Sequence, residues 1–265
     1  MKRDSLVMER IQSNLNRLRL AKSSDILSGL VKTAEANSLS FLAFLDELLE
    51  EEVAHKEQRR METALRISGL PFIKTIDEFD FVFQPHLDRR QIMSLFDLTF
   101  IQEKGNILFL GPPGVGKTHL AVALMVKACQ AGFSIYSTNM EELIGKLKKD
   151  HERGRSARGR SYYKSTVVLV DEVGYTPISR EECNLFYRFI ATRYEKTSTI
   201  ITSNKSFVDW TELFHDPIII TAILDRLLHH STVINIKGNS YRLKGKPITL
   251  SDSLTPVNRE IIKNH

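Results

Sequence analysis

The feature that most constrains the fold is the glycine-rich stretch GPPGVGKT at 111–118, which directly follows the apolar run ILFL at 107–110. It satisfies the pattern G-x-x-x-x-G-K-S/T, whose glycines let the backbone turn so that successive N–H groups point at phosphate oxygens. The N-terminus of the helix that follows adds a partial positive charge. The stretch therefore predicts a strand, a phosphate-binding loop and a helix, in that order.

The expected ligand of this loop is ATP with Mg²⁺. We expect Lys117 to reach the β- and γ-phosphates and the Thr118 hydroxyl to bind the metal ion. The residues predicted to hold the nucleotide are Gly111, Pro112, Pro113, Gly114, Val115, Gly116, Lys117, Thr118 and His119.

From about residue 76 the chain alternates short apolar runs with helical patterns. The short runs predict five strands, at 106–111, 133–138, 167–172, 198–204 and 231–236. The first four of these runs are rich in β-branched or aromatic residues. Strands that alternate with helices form a mostly parallel sheet covered by helices on both faces. The predicted fold class is therefore α/β, with ligands bound at the carboxyl ends of the strands.

The chain before this alternation reads as a small all-helical domain. Glu52 and Lys56 are spaced to pair one helical turn apart, and SGLP at 68–71 supplies the glycine and proline that end a helix. Four apolar residues fall on one stripe at helical spacing: Phe41, Leu45, Leu48 and Leu49. The expected domains are a helical domain for partner or DNA interaction at 1–70, an ATPase domain at 71–250 and a C-terminal tail at 251–265.

Two carboxylates, Asp171 and Glu172, follow the apolar run VVLV where the third predicted strand ends. We predict that Asp171 binds Mg²⁺ together with Thr118, and that Glu172 polarises a water molecule for attack on the γ-phosphate. Asn204 ends the next strand, where its side chain can touch both that water and the γ-phosphate. The alternatives are a solvated turn for Glu172 and a turn-forming role for Asn204. Together these side chains favour hydrolysis of ATP by water.

Arg226, in the segment DRLLHH, is a candidate for completing such a site in a neighbouring molecule. Phosphoryl transfer gains from an arginine placed on the γ-phosphate in trans, and Arg226 projects from the face opposite the apolar residues of its helix. The alternative is a surface pair between Asp225 and Arg226 or their neighbours. His229 and His230 follow on the same segment. Because no other His or Cys stands at ligand spacing, we interpret them as polar helix-end residues rather than a metal site.

Composition excludes several classes of protein. The chain of 265 residues is 42% hydrophobic and 26% charged, and it has no run of the roughly 18 apolar residues that a membrane span needs. Cys129 and Cys183 are too few for a disulfide framework or a zinc site. We expect a cytoplasmic protein with no membrane partner.

Positive charge is concentrated in one stretch, KLKKDHERGRSARGR at 146–160, which has seven Lys or Arg against two acids. The glycines between its arginines predict a flexible loop that contacts phosphates without reading bases. A solvated surface is the alternative. We expect sequence-tolerant binding to double-stranded DNA through Lys146, Lys148, Lys149, Arg153, Arg155, Arg158 and Arg160.

In chain order, the motifs GPPGVGKTHLAVAL, VLVDEVGY, IITSN, DRLLHH and GNSYRL resemble those of the IstB-type ATP-binding helpers of bacterial insertion sequences. The resemblance covers nearly the whole chain and implies an AAA+ module of the initiator and helicase-loader clade, related to DnaC-type proteins. It implies these roles: Walker A for Lys117 and Thr118, Walker B for Asp171 and Glu172, sensor for Asn204 and finger arginine for Arg226.

The segments on either side of the predicted sheet carry further expectations. The chain after the fifth strand is short for the usual helical lid of this clade, so we expect the lid to be absent or truncated. Arg242, in GNSYRL, would then take part of a lid arginine's role. Phe79 and Phe81, in DEFDF before the sheet, either flank the adenine or pack in the core.

The function implied by the resemblance is that of an ATP-dependent DNA-binding helper, which oligomerises on DNA and recruits or stimulates a transposase. A replicative helicase loader of the DnaC type is the alternative, because it would share every residue of the ATP site. A small-molecule kinase would need an acceptor pocket and a mobile lid, and a non-catalytic nucleotide switch would release no phosphate.

Overall fold

The computed structural model describes residues 2–154, 160–214 and 216–244. The tail predicted at 251–265 lies outside these ranges, as does the chain beyond residue 244 where a lid would follow. The chain divides into two compact units. The first comprises Met1–Gly69 and Cys129–Gly132, and the second comprises Leu70–Ala128 and Phe133–His265.

The first unit contains three consecutive helices: α1 (Lys2–Arg17), α2 (Ala21–Ala36) and α3 (Phe41–Ile67). Its small apolar core is formed by Leu27 and Leu30 of α2 and Leu48 of α3. Leu48 is the only member of the predicted apolar stripe that is buried, whereas Phe41, Leu45 and Leu49 are exposed. The predicted helix is confirmed, and of its apolar stripe only Leu48 faces the interior, on the same side of α3 as Glu52.

Glu52 is a buried carboxylate that links α3 to α2. It accepts a 2.8 Å hydrogen bond from the backbone N–H of Ser23, in the first turn of α2, and lies 3.7 Å from Lys56 Nζ, as the spacing predicted. Burial acts to raise the pKa of this carboxyl, but the hydrogen bonds from Ser23 and the charge of Lys56 outweigh it and hold the pKa below its ordinary value. A negative charge at a helix N-terminus also stabilises that helix.

The second unit contains the sheet. Its strands are β1 (Asn106–Leu110), β2 (Ile135–Asn139), β3 (Val167–Asp171), β4 (Ser198–Ser203) and β5 (Ser231–Asn235). Its helices are α4 (Arg89–Leu95), α5 (Thr99–Gln102), α6 (Lys117–Gln130), α7 (Met140–Glu152), α8 (Ser161–Lys164), α9 (Arg180–Arg193), α10 (Phe207–Leu213) and α11 (Pro217–Leu228), with 3₁₀ turns at Ile76–Glu78 and Tyr241–Leu243.

All five strands are parallel, in the order β2-β3-β4-β1-β5. The prediction of a five-stranded parallel sheet flanked by helices is confirmed. Strands buried on both faces read as continuous apolar runs, and the interior residues of β1 and β3 are almost completely inaccessible to solvent. No helix in the described part of the chain is long and apolar enough to cross a membrane.

The strand order decides which side chains can meet. Because β4 lies between β1 and β3, its carboxyl end is adjacent both to the loop that leaves β1 and to Asp171 at the end of β3. The register pairs Leu110 with Ser203 across β1 and β4, and Val170 with Ile201 across β3 and β4. The three segments singled out from the sequence therefore converge on one edge of the sheet.

Candidate active site

Lys117 is the first residue of α6, and its ammonium group turns back into the loop that precedes it. Its Nζ donates hydrogen bonds to the carbonyl oxygens of Gly111 at 2.7 Å and Pro112 at 2.8 Å. The side chain is buried, and burial lowers its pKa to about 8. The positive charge of Arg242 acts in the same direction, whereas Asp171 and Glu172 oppose it. The loop thus places a desolvated cation where phosphate charge is expected.

The shape of the loop requires glycine at two positions that the motif specifies. Gly111 has φ +144°, and a Cβ built on it would lie 2.1 Å from the carbonyl oxygen of Ile236. Gly116 has φ +101°, and its Cβ would lie 2.6 Å from the ring of Phe79. A side chain at Gly111 would meet backbone, which cannot move aside as a flexible side chain does. The motif glycines therefore also allow neighbouring segments to pack closely on the loop.

Thr118 and Asp171 meet at the expected metal position. Thr118 Oγ1 donates to the carboxylate of Asp171, at 3.1 Å from Oδ1 and 3.2 Å from Oδ2. A hydroxyl and a carboxylate in contact are hard oxygen donors, which are the ligands that Mg²⁺ takes in proteins. The residues present therefore fit a Mg²⁺ ion.

Thr202 is a site residue that the sequence analysis missed. Its hydroxyl donates a short hydrogen bond to Asp171 Oδ1 and accepts a 3.0 Å hydrogen bond from the backbone N–H of Glu172. Thr202 is buried on β4, next to β3. Nothing in the sequence distinguishes Thr202, because the strand STIITS contains four hydroxyl residues and threonine is common in strands.

Glu172 adopts a left-handed backbone conformation with φ +59°. For a residue other than glycine this conformation costs about 1–2 kcal/mol, and the hydrogen bond from its N–H to Thr202 helps to hold it. The turn it makes ends β3 and places Glu172 on the wall of the same cavity as Asn204. Backbone strain of this kind is concentrated at functional sites.

A cavity of about 720 Å³ brings these side chains together. Of the residues predicted to hold nucleotide or metal or to act in catalysis, those that line it are Pro113, Gly114, Val115, Gly116, Lys117, Thr118, His119, Asp171, Glu172 and Asn204. Gly111 and Pro112 are absent from the described lining and contact Lys117 instead. Arg226 is absent from it too.

The cavity is bordered by two segments that are far apart in the second unit's sequence. From the N-terminal side, Phe79 lies edge-on to His119, with ring centroids 5.3 Å apart, and His119 Nε2 is 2.9 Å from the carbonyl oxygen of Thr75. Phe79 lines the cavity, whereas Phe81 packs behind it with centroids 4.9 Å apart. The structure thus separates two aromatic residues that the sequence analysis treated alike.

From the C-terminal side, the backbone N–H of Tyr241 donates a 2.8 Å hydrogen bond to the carbonyl oxygen of Gly114. Lys244 forms a 2.6 Å ion pair with Asp80 of the opposite segment. Arg242 and Tyr241 both line the cavity. Arg242 therefore lies where it can contact a bound nucleotide of its own chain.

Arg226 lies on α11, packed against aromatic residues from the α9 side. Its guanidinium carbon is 5.0 Å from the ring centroid of Tyr187 and 5.9 Å from that of Tyr194, and Nη1 donates to the carbonyl oxygen of Ala222 at 2.9 Å. The side chain is half-buried. The structure thus gives Arg226 an ordered position outside its own nucleotide cavity.

Much of the positive charge in the basic stretch is paired with acids. Lys146 lies 3.1 Å from Glu142, Lys148 lies 3.2 Å from Glu182, and Arg160 lies 2.5 Å from Asp150. Lys149 and Arg153 are exposed, and within the described ranges neither forms an ion pair. Arg155 and Arg158 lie outside the described residues. The stretch therefore presents fewer free cations than its composition indicates.

Comparisons with known proteins agree with this architecture. The family model described as IstB-like ATP binding protein matches residues 13–248. A protein of Pseudomonas aeruginosa, named for insertion sequence IS21 and for ATP binding, is 43% identical over 261 residues, covering 97% of this chain and 98% of its own length. A similarly named protein of insertion sequence IS5376 from Geobacillus stearothermophilus is 42% identical over 239 residues, covering 90% of this chain and 95% of its own.

A similarity of fold extends to a solved structure. AMPPCP-bound DnaA from Aquifex aeolicus matches with a TM-score of 0.51 at 18% identity, over 66% of this chain and 54% of the DnaA chain. At that identity the likeness concerns the fold alone.

Proposed function

This chain belongs to the family of IstB-like ATP-binding proteins, and from that premise we propose that it hydrolyses ATP while assembled on DNA and serves a transposase as its helper. The observation that carries the proposal is a single cavity lined by the loop lysine, by the Thr118–Asp171 pair and by Glu172 and Asn204. A protein that only bound nucleotide would have little use for the last two side chains.

In the proposed reaction, Lys117 holds the β- and γ-phosphates, and Thr118 and Asp171 would hold Mg²⁺. When bound, Mg²⁺ neutralises charge that develops on the phosphate oxygens. Glu172 accepts a proton from a water molecule whose oxygen attacks the γ-phosphorus, and Asn204 orients that water. The bond to the bridging oxygen of ADP breaks, so the products are ADP and phosphate.

Arg226 is the group we propose to act between molecules. Its ordered position outside its own cavity is what a finger arginine requires, because such a residue completes the site of a neighbour rather than its own. Contacts of this head-to-tail kind repeat along an assembly, giving a ring or a helix. DNA would concentrate the molecules and so favour those contacts.

We propose that the C-terminal end of α7 and the chain after it contact DNA phosphates. Leu143 and Leu147 lie on the buried side of α7, whereas Lys149 and Arg153 are exposed and free of acidic partners within the described ranges. Contacts with phosphates carry no sequence information, so binding would be sequence-tolerant and weakened by salt.

A transposase is the proposed protein partner, because the similar proteins of Pseudomonas aeruginosa and Geobacillus stearothermophilus are named for insertion sequences. We assign the contact to the helical unit, where Phe41 and Leu42 expose 95% and 80% of their surface at the start of α3. Exposed apolar side chains that lie together mark interaction surfaces.

The test is a pull-down of the full chain with the transposase of the same insertion sequence and, in parallel, with a replicative helicase. We expect retention of the transposase and its loss in a Phe41→Ser/Leu42→Ser variant that keeps wild-type ATP binding. Retention of the helicase alone would instead support the loader alternative.

A further inference from the structure

A second group of metal-ligating side chains lies away from the nucleotide cavity. Glu195 belongs to the turn after α9, and His229 and His230 follow the end of α11. One nitrogen of each imidazole and one carboxylate oxygen of Glu195 lie within 4.8 Å of one another. In the sequence the two histidines have no third ligand nearby, because Glu195 comes from an earlier part of the chain.

The three candidate ligand atoms lie close together. Glu195 Oε1 is 3.7 Å from His229 Nδ1 and 3.8 Å from His230 Nε2, and the two imidazole centroids are 4.0 Å apart. Bonds of about 2.0–2.1 Å around tetrahedral zinc place ligand atoms about 3.3 Å apart. Ligand atoms that lie within 4.8 Å of one another must therefore approach by about 1.5 Å at most to bind one ion, a movement that rotation of exposed side chains allows.

The backbone around this cluster is fixed by contacts with the sheet. The carbonyl oxygen of His230 accepts a 2.7 Å hydrogen bond from the backbone N–H of Asn106 at the start of β1. The side chain of Asn106 donates to the carbonyl oxygen of Leu227 at 3.1 Å. Glu195 is held in a left-handed turn with φ +55°. The ligands are thus carried by ordered backbone, although their side chains are about half exposed.

The donor set selects the kind of ion. Two imidazoles and one carboxylate suit Zn²⁺, Co²⁺, Ni²⁺ or Cu²⁺, whereas Mg²⁺ and Ca²⁺ prefer oxygen ligands only. Three protein ligands leave a fourth position of a tetrahedral site for water. His229 Nδ1 also lies 2.7 Å from the hydroxyl of Tyr194, so metal binding at Nδ1 replaces that hydrogen bond.

We propose that Glu195, His229 and His230 form a binding site for one divalent transition-metal ion, separate from the Mg²⁺ position of the ATP site. The site adjoins the ring of Tyr194, over which Arg226 lies at 5.9 Å. The binding itself is independent of whether Arg226 acts on a neighbouring nucleotide.

The experiment is titration of the untagged full chain with Co²⁺ alone, followed by the visible absorption of four-coordinate Co²⁺ and by competition with Zn²⁺. We expect one equivalent to bind with that absorption and Zn²⁺ to abolish it. His229→Asn, His230→Asn and Glu195→Gln should each weaken binding tenfold or more, while the matched control His86→Asn, at an exposed histidine elsewhere, keeps it.

Each variant is compared with the wild type by circular dichroism and by ATP affinity, so that a folding defect is recognised. Absence of the four-coordinate spectrum in the wild type would overturn the proposal. It would also be overturned if correctly folded variants of all three residues kept wild-type Co²⁺ affinity.

Discussion

The hydroxyl of Thr202 donates a hydrogen bond to the carboxylate of Asp171, across the boundary between two parallel strands. The same oxygen accepts the backbone N–H of Glu172. One threonine thus orients the proposed metal ligand and fixes the turn that carries the proposed catalytic carboxylate. Groups that hydrogen-bond metal ligands set the geometry of those ligands.

Thr202→Val tests this relationship, because valine keeps the shape of threonine but removes its hydroxyl. Mg²⁺ affinity in the presence of ATP should fall roughly 10–100-fold, while binding of ATP without metal changes little. Burying the Glu172 N–H without a partner should also lower the free energy of unfolding by about 1–3 kcal/mol. Thr202→Ser should restore both properties. If valine left Mg²⁺ dependence unchanged, Thr202 would not position Asp171.

The lowered pKa of Lys117 predicts a pH dependence of nucleotide binding. Only the protonated amine carries the charge that phosphates need, and its pKa is about 8 because the group is buried. Nucleotide phosphates raise this pKa, so binding above about pH 8 must take up a proton. The association constant should then fall roughly fivefold from about pH 8 to about pH 9.

Calorimetry in buffers with different ionisation enthalpies measures that proton uptake directly. The uptake should approach one proton per nucleotide at high pH and vanish near neutrality. Lys117→Arg serves as the control, because an arginine stays protonated throughout this range. Equal proton uptake by wild type and the arginine variant would assign the titration to another group.

The sequence predicts the site residues that belong to a local motif. It does not predict those whose role depends on a partner far away in the chain. The strand–loop–helix around Lys117 is local, so its residues and their roles could be read from spacing. Asp171, Glu172 and Asn204 could be placed at one edge, because parallel strands align their carboxyl ends. The order of the strands could not be predicted, since apolar runs buried on both faces look alike.

Thr202, Tyr241 and Glu195 illustrate what escaped prediction. Thr202 matters only because β4 lies beside β3, and Tyr241 only because its segment folds back on Gly114. Glu195 lies beside two histidines through the packing of α9 against α11. In the basic stretch the sequence overestimates the number of free cations. A count of charges cannot reveal that Lys148 and Arg160 are paired with acids.

That pairing leads to a prediction about DNA binding. Lys149→Ala/Arg153→Ala removes two exposed cations, so the slope of log affinity against log salt should decrease by roughly 2. Affinity should fall about equally for unrelated DNA sequences. The matched variant Lys146→Ala/Lys148→Ala removes two paired cations from the same helix and should change the slope less. Equal effects of the two double variants would show that the ion pairs open when DNA binds.

Arg226→Ala tests action between molecules. The variant should bind ATP like the wild type and lose the stimulation of turnover by DNA and by protein concentration, about 10³-fold if the residue acts as other finger arginines do. Arg226→Lys should not restore it, because lysine lacks the planar fork that contacts phosphate oxygens.

An experiment with mixed variants shows whether Arg226 acts on the nucleotide of its own molecule or on that of a neighbouring molecule. Arg226→Ala molecules keep an intact cavity and Lys117→Ala molecules keep an intact arginine, so the two together on DNA should recover part of the activity that neither has alone. If the mixture stays inactive while both variants still assemble, Arg226 acts within its own chain or has no role in hydrolysis.

The central claim is that Glu172 activates water for ATP hydrolysis at the edge of the sheet. The direct measurement is phosphate release on DNA by wild type and Glu172→Gln, with ATP affinity determined on the same preparations. Glutamine keeps the size of the side chain but cannot accept the proton, so phosphate release should fall 10²-fold or more while ATP affinity is unchanged. Wild-type turnover in Glu172→Gln would contradict the claim.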